Sequence, residues 1–269
     1  MRSALLISLL YCFGGALCQR VDSVVLWSQT LQKNVSCVVI TPTQKGPKPL
    51  LILLHGYSGN HTNWINKVPQ IKQLAQQYGI AVICPDGGYD SWYLNSMLQP
   101  HSQYTTYFGT EFPTQVDSIL GQQTPAHLRG IAGLSMGGHG AFYIGLQYPT
   151  IYGAVGATSG GMNLESSAGK FGIQNHLGVY SANTEAWKKN SIVTLVKNLP
   201  KTTQALWIDC GTEDFFYVDN EQLHTVLLQQ KIPHHYLTMA GKHDWNYWAT
   251  SIAYQFQFFH QYFTKNNQP

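Results

Sequence analysis

The clearest candidate for chemistry is Ser135, which lies between two glycines in residues 133–137 (GLSMG). A serine hydroxyl attacks a carbonyl carbon only when it is exposed, held rigidly and deprotonated by a neighbouring base. A glycine two positions away on each side allows the sharp backbone turn that presents such a serine. A strand-like apolar run at residues 128–132 precedes the motif, and a helical pattern at residues 136–147 follows it. This setting favours a nucleophile over a serine that only caps a helix.

A serine nucleophile also needs a base and a group that orients the base. In strand–turn–helix sites of this kind the chain order is serine, acid, histidine. His243 is the histidine that lies between the last predicted strand and the closing helix, so we expect it to be the base. Two carboxylates, Asp214 and Glu213, lie in the loop after the preceding strand. We prefer Asp214 as the orienting acid and keep Glu213 as the alternative, whereas Asp209, at the end of the strand, is expected to be structural.

Two backbone N–H groups are candidates for binding the oxyanion that forms when an acyl group is attacked. Met136 is the first residue of the predicted helix, where N–H groups are free and the helix dipole favours negative charge. Tyr57 lies in the loop after the apolar run at residues 50–54, and this loop supplies the second donor in such sites. His55, in the same loop, is expected to brace it. These groups together predict acyl transfer through an acyl-enzyme on Ser135.

The alternation of strand-like and helical segments predicts an α/β fold with a mostly parallel central sheet and helices on both faces. The first two strands, separated by a polar turn, predict an antiparallel hairpin at the N-terminal edge. Residues 86–103 are expected to form a long loop, and residues 159–190 an irregular cap over the site. The predicted strands are residues 21–31, 34–41, 50–54, 80–84, 128–132, 152–158, 204–209 and 235–239, and the predicted helices are residues 66–78, 111–121, 136–147, 218–230 and 244–263.

Composition narrows the class of protein. The chain has 269 residues, 11% of them charged, and a formal net charge of +3. Lys and Arg are scattered without a basic run, which argues against a nucleic-acid surface. No zinc-like spacing and no Gly-rich phosphate loop occur in the sequence, so neither a metal nor a cofactor is expected. The lack of internal repeats and linkers predicts one domain over residues 19–269.

The first 18 residues resemble an export signal. A positive residue precedes a short apolar run at residues 4–10, and residues 16–18 form an acceptable cleavage site. The apolar run is too short for a membrane span, which needs roughly 20 apolar residues, and no later segment is apolar for long enough. We therefore expect a signal peptide at residues 1–18 and a secreted or periplasmic protein without a membrane span.

Five sequence blocks place these residues in a family context. The blocks are residues 53–60 (LLHGYSGN), 85–89 (PDGGY), 133–141 (GLSMGGHGA), 209–214 (DCGTED) and 241–245 (GKHDW). Together they resemble the esterase D family, also called the putative esterase family. The resemblance implies an α/β-hydrolase fold, carboxylic ester hydrolysis and a triad of Ser135, Asp214 and His243. Lys242 stands where the family usually has glycine, a departure expected to alter the rim of the pocket.

Members of that family include feruloyl and acetylxylan esterases, S-formylglutathione hydrolases, short-chain acyl esterases and mycolyltransferases. An export signal argues against S-formylglutathione, a cytoplasmic substrate, and suits a small-molecule or carbohydrate ester with an acetyl, feruloyl or other short acyl group. Acyl transfer to a sugar or lipid hydroxyl, a thioesterase, and a binding protein without catalysis are the alternatives. Trp92 and Trp245, with Trp64 and Tyr93, are candidates for stacking on the substrate, and loop packing is the competing role for each.

Overall fold

The computed structural model describes residues 19–198 and 202–267, and eight strands within those ranges form one sheet. The strand order across the sheet is β1-β2-β4-β3-β5-β6-β7-β8. The export signal predicted at residues 1–18 lies outside the described residues. The strands are β1 (Arg20–Ser28), β2 (Lys33–Thr41), β3 (Leu50–Leu54), β4 (Ala81–Pro85), β5 (Arg129–Leu134), β6 (Ala154–Thr158), β7 (Ala205–Gly211) and β8 (His235–Met239).

The strands from β3 to β8 are parallel, and β2 joins them antiparallel to β4. The predicted architecture, a mostly parallel sheet with an antiparallel N-terminal hairpin at its edge, is confirmed. Strand β1 ends at Ser28, earlier than predicted, because Glu111 closes the turn that follows. The Glu111 carboxylate accepts hydrogen bonds from the Ser28 hydroxyl (2.8 Å) and from the backbone N–H groups of Gln29 (2.6 Å) and Thr30 (3.1 Å).

Helices cover both faces of the sheet, as predicted. Within the described ranges, none of the helices combines the length and the apolar character that a membrane crossing requires. The helices are α1 (Asn63–Lys67), α2 (Ile71–Tyr78), α3 (Tyr104–Thr106), α4 (Phe112–Leu120), α5 (Met136–Gln147), α6 (Gln174–Leu177), α7 (Thr184–Asn190), α8 (Ile192–Leu195), α9 (Tyr217–Gln229) and α10 (Trp245–Asn266).

The central strands are buried on both faces, as their unbroken apolar sequences predict. Side chains alternate between the faces along a strand. In β3, Leu50, Ile52 and Leu54 therefore pack with α4, α5 and α9 in one hydrophobic cluster, whereas Leu51 and Leu53 pack with α1, α2 and α10 in the other. The loops that carry the candidate functional residues therefore follow strands that are packed between two layers of helices.

The helix predicted over residues 66–78 is in fact two helices, α1 and α2, separated at Val68 and Pro69. Proline has no N–H to donate and disfavours helical backbone in the residue before it. Val68 accordingly has φ −129° and ψ 72°. Helix α2 ends at Gly79 as predicted, with a left-handed φ of 65°.

The helix predicted at residues 111–121 begins earlier than expected, because α3 continues through a π-helical turn (Tyr107–Glu111) into α4. Pro113 accounts for the wide turn, since it has no N–H to complete a regular helical ladder. Packing of buried rings stabilises this turn, and the centroids of Phe108 and Phe112 lie 4.8 Å apart. Residues 86–103 form the predicted loop, and the segment 159–190 consists of short helices and turns.

Asp209, at the carboxyl end of β7, joins three elements of the fold through its buried carboxylate. Oδ1 accepts hydrogen bonds from the hydroxyls of Thr158 (2.5 Å) on β6 and Ser251 (2.6 Å) on α10. Oδ2 accepts from the indole N–H of Trp207 (2.7 Å) and the side-chain amide of Gln255 (2.9 Å). Burial raises the pKa of Asp209, and these four donors act in the opposite direction. The carboxylate therefore fixes α10 against the sheet.

We predict that Asp209→Ala lowers the free energy of unfolding by about 3–5 kcal/mol, because four donors, three of them on buried side chains, lose their acceptor. Urea unfolding followed by circular dichroism measures the change. Asp22→Ala is the control, since Asp22 pairs with Arg20 at the surface, and it should change stability by less than about 1 kcal/mol. Equal losses in the two variants would contradict a structural role for Asp209.

Candidate active site

Ser135 occupies a strained turn between β5 and α5. Its φ of 55° and ψ of −120° lie in a region that residues with a side chain rarely adopt. The Ser135 N–H donates to the carbonyl of Thr158 (3.1 Å), which holds the turn against β6. A Cβ on Gly137 would lie 2.6 Å from the carbonyl oxygen of Leu54, so only glycine allows α5 to start this close to β3. The predicted strand–turn–helix geometry around the serine is present.

A continuous chain of hydrogen bonds joins Ser135, His243 and Asp214. His243 Nε2 lies 2.9 Å from Ser135 Oγ, and its Nδ1 lies 2.9 Å from Oδ1 and 2.8 Å from Oδ2 of Asp214. An ionised carboxylate only accepts, so Nδ1 carries the proton and the Nε2 lone pair faces the serine hydroxyl. The Asp214 side chain is buried, and Oδ1 also accepts from the N–H of Phe216 (2.8 Å). The arrangement can deprotonate the serine and stabilise the imidazolium that results.

The loops after β7 and β8 bring Asp214 and His243 together. The Glu213 N–H donates to the carbonyl of Gly241 (2.9 Å), which ties the two loops by their backbones. A Cβ on Gly211 would lie 2.6 Å from the carbonyl carbon of Gly241, so the close approach requires glycine. Asp244 then caps α10 by accepting from the N–H groups of Asn246 and Tyr247, both at 3.0 Å. His243 therefore lies between a loop that is tied by its backbone to the neighbouring loop and a helix that is capped by Asp244.

Glu213 does not reach the histidine. Its carboxylate points outward and lies 3.7 Å from Lys242 Nζ, with both side chains more than half exposed. Of the two acids considered from the sequence, the structure brings only Asp214 to His243. Lys242, the departure from the family pattern, lies at the rim in this exposed pair, and its neighbour His243 remains in register with Asp214.

Aromatic rings surround the imidazole of His243 on several sides. The ring centroid of Phe215 lies 4.1 Å from that of His243, and those of Trp248 and Phe216 lie 5.0 Å and 5.4 Å away. The His243 side chain is only 14% exposed. This packing fixes the plane of the imidazole and limits the access of water to the Nδ1–carboxylate hydrogen bond, which a low local dielectric strengthens.

The two N–H groups predicted to bind an oxyanion are free. Among the hydrogen bonds of the described residues, neither the N–H of Tyr57 nor that of Met136 has an acceptor. His55 braces the Tyr57 loop, as expected: its Nδ1 contacts the carbonyl of Gly56 (2.8 Å) and its Nε2 accepts from the N–H of Gly87 (2.8 Å). Burial lowers the pKa of His55, which favours the neutral imidazole that this pattern requires.

A cavity of about 370 Å³ opens above Ser135. Trp245 lines this cavity, and its role in stacking on a substrate stays a prediction. The prediction for Trp92 is wrong: its side chain is 1% exposed, and its indole N–H donates to the carbonyl of Phe171 (2.9 Å) beneath the cap segment. Trp64 and Tyr93 are likewise buried in the core.

Sequence reasoning missed four aromatic rings of this cavity, namely Tyr57, Phe171, Phe215 and Trp248. Phe215 could have been found, because it directly follows the acid. Phe171 lies in the aperiodic segment 159–190, where no pattern indicated which side chains face the site. Its presence in the wall shows that part of that segment borders the cavity. Groups of three or more His, Cys, Asp or Glu side chains able to hold a metal ion do not occur in the described part of the chain.

The family model described as "Putative esterase" matches residues 28–259 of this chain. The chain belongs to the putative esterase family. This esterase is 27% identical over 254 residues to an acetyl esterase of Caldicellulosiruptor saccharolyticus, a match that covers 86% of this chain and 94% of the relative. It is 28% identical over 271 residues to the S-formylglutathione hydrolase of Bos taurus, with 90% and 92% covered.

Solved structures agree with the fold of this esterase. A ferulic acid esterase superposes with a TM-score of 0.77 at 24% identity, covering 91% of this chain and 99% of the other. The α/β-hydrolase fold implied by the resemblance is therefore confirmed, and the protein is a carboxylic ester hydrolase.

We predict that Asp214→Asn lowers kcat by about 10³–10⁴-fold, because an amide cannot hold the same imidazole tautomer or stabilise its charged form. Glu213→Gln is the matched control on the adjacent residue, and it should change kcat by no more than about two-fold because its ion pair is exposed. Steady-state hydrolysis of p-nitrophenyl acetate measures both variants. The reverse ranking would identify Glu213 as the orienting acid.

Proposed function

We propose that this esterase is an exported enzyme that hydrolyses acetyl, feruloyl or other short acyl esters of carbohydrates. The observation that carries the proposal is the hydrogen-bond chain from Asp214 through His243 to Ser135, which ends in a small, aromatic-lined cavity. The signal predicted in residues 1–18 supports the export.

In the proposed reaction Ser135 is the nucleophile and His243 the general base. His243 takes the hydroxyl proton as Ser135 Oγ attacks the ester carbonyl, and Asp214 stabilises the imidazolium. The N–H groups of Tyr57 and Met136 bind the oxyanion of the tetrahedral intermediate. His243 then donates its proton to the leaving alcohol, and a water molecule activated by the same histidine releases the acid from the acyl-enzyme.

The volume and the lining of the cavity favour a substrate with a short or planar, neutral acyl group. At about 370 Å³ it lies near the lower limit for small-molecule sites, roughly 300–1,000 Å³. None of the described residues that line it is Lys, Arg, Asp or Glu, so a charged acyl chain would find no counter-ion. The rings of Trp245, Trp248 and Phe215 provide surfaces for an aromatic acyl group.

The two relatives favour two different kinds of ester as the substrate. The acetyl esterase relative supports an oxygen ester with a small acyl group. The bovine S-formylglutathione hydrolase, at similar identity, favours a second candidate function, the hydrolysis of a thioester with a one-carbon acyl group. We prefer the carbohydrate ester because the predicted export signal separates this chain from a cytoplasmic thiol substrate.

We predict that Ser135→Ala abolishes hydrolysis of p-nitrophenyl acetate, with a loss of at least about 10³-fold in kcat. The far-ultraviolet circular dichroism should be unchanged, because alanine occupies no more space than serine in the turn. A fluorophosphonate probe should label the wild-type protein and leave the variant unlabelled. A folded wild-type protein that resists labelling would indicate a binding protein without catalysis.

The substrate class is tested with a panel of acetylated xylan, feruloylated xylan, methyl ferulate, S-formylglutathione and p-nitrophenyl esters from acetyl to octanoyl. We predict the highest kcat/KM on the acetylated or feruloylated carbohydrate and a fall of at least about ten-fold from acetyl to octanoyl, because the cavity excludes long chains. A higher kcat/KM for S-formylglutathione than for every oxygen ester would favour the thioesterase. More acylated product than free acid in the presence of an added sugar would favour acyl transfer.

A further inference from the structure

A second and larger cavity, of about 560 Å³, lies beside the catalytic one at the same edge of the sheet. Its walls are the loop after β4, the segment 98–104 and the start of β2, which runs antiparallel to β4 and so begins at the edge where β4 ends. The mechanism proposed above uses none of its residues. Those that concern the argument are Lys33, Tyr89, Asp90, His101, Tyr104 and His176.

Hydrogen bonds hold the polar groups of this cavity in two separate sets. Lys33 Nζ donates to the hydroxyl of Tyr104 (2.6 Å) and lies 5.2 Å from the centroid of the same ring. Asp90 accepts from the side-chain amide of Asn175 (2.8 Å) and lies 3.3 Å from His176 Nε2. His176 is 1% exposed, and its Nδ1 has no hydrogen-bond partner among the described residues. A cation, a carboxylate and a buried imidazole with one unpartnered nitrogen therefore line the same cavity.

An aromatic surface stands beside these polar groups and connects the two cavities. Tyr89 is 62% exposed and lines the second cavity. Its ring packs edge to face against Tyr57, with centroids 5.1 Å apart, and Tyr57 lines the catalytic cavity. The carbonyl of Tyr89 also accepts from the N–H of Ser58 (2.7 Å). Tyr57 and Tyr89 therefore separate the two cavities.

This combination fits a neutral polyhydroxylated ligand better than other classes. A sugar ring presents C–H groups to an aromatic face and hydroxyls that both donate and accept, so Asp90, Lys33 and His101 could all be satisfied together. An anionic ligand such as a phosphate would meet the Asp90 carboxylate, and a lipid chain would desolvate both charges without replacing their hydrogen bonds.

We propose that the second cavity is a subsite for the sugar units that extend from the esterified sugar of an oligosaccharide. The acyl group would lie in the catalytic cavity, the alcohol side would cross Tyr57 and Tyr89, and the neighbouring sugars would occupy the second cavity. This inference rests on the proposed function, because it assigns the cavity to the leaving-group side of a carbohydrate ester.

Binding of unesterified xylotriose, cellotriose and mannotriose, followed by titration calorimetry, tests the subsite without requiring turnover. We expect at least one trisaccharide to bind, and Tyr89→Ala and His101→Ala each to raise its Kd by about five- to ten-fold. Tyr254→Ala is the control, since Tyr254 is an exposed tyrosine (44%) of α10, and it should leave the Kd unchanged. No binding of any trisaccharide, or equal binding to all variants, would overturn the inference.

Kinetics then separate the subsite from the proposed function. We expect kcat/KM to be about five- to ten-fold higher for acetylated xylotriose than for acetylated xylose, and Tyr89→Ala to remove most of this difference. Hydrolysis of both sugar esters with no gain from chain length would overturn the subsite and leave the carbohydrate esterase intact. Hydrolysis of p-nitrophenyl acetate with no hydrolysis of any sugar ester would instead overturn the proposed function.

Discussion

The strained turn at Ser135 is the constraint on which the rest of the active site depends. A residue with a side chain at φ 55° and ψ −120° costs of order 1–3 kcal/mol, so the surrounding structure must hold it there. The hydrogen bond to Thr158 and the packing of α5 on the buried central strands provide that support. Gly137 lets α5 begin close to the end of β3, which brings the first turn of α5 next to the loop that carries Tyr57. A looser turn would separate the Ser135 hydroxyl from the two N–H groups proposed to bind the oxyanion.

His243, the proposed base, is positioned by contacts of its own loop and of the helix that follows it with β7 and the loop after β7. Gly211 and Gly241 allow the loops after β7 and β8 to touch, and this contact aligns Asp214 with His243. Below them, the buried carboxylate of Asp209 ties β7 to α10, the helix that directly follows the base. Stability and catalysis therefore share one region: the hydrogen bonds that fix α10 to the sheet also fix the imidazole relative to Ser135.

The sequence was sufficient where the constraint is local or follows from sheet topology. Glycines at fixed spacing around Ser135 indicate the turn, and parallel strands end at one edge, which places the loops that carry Asp214 and His243 near it. The sequence was insufficient where contacts between distant residues decide which way a side chain points. Glu213 and Asp214 are neighbours in one loop, and their opposite orientations depend on the contact with the next loop. Trp92 has the sequence context of an exposed loop residue, yet a carbonyl of the distant cap segment holds its indole in the core.

The two tyrosines between the cavities connect the proposed sugar subsite with the proposed oxyanion site. Tyr57 supplies both the ring that packs on Tyr89 and the N–H that is free to bind the oxyanion, and the Ser58 N–H ties the same loop to Tyr89. A sugar that packs on Tyr89 would therefore restrain the loop that carries the donor. Binding energy that is equal in the ground state and the transition state lowers only KM, whereas energy that orients a transition-state donor raises kcat. Because one short loop contacts both cavities, we expect part of the rate gain from a longer sugar chain to appear in kcat.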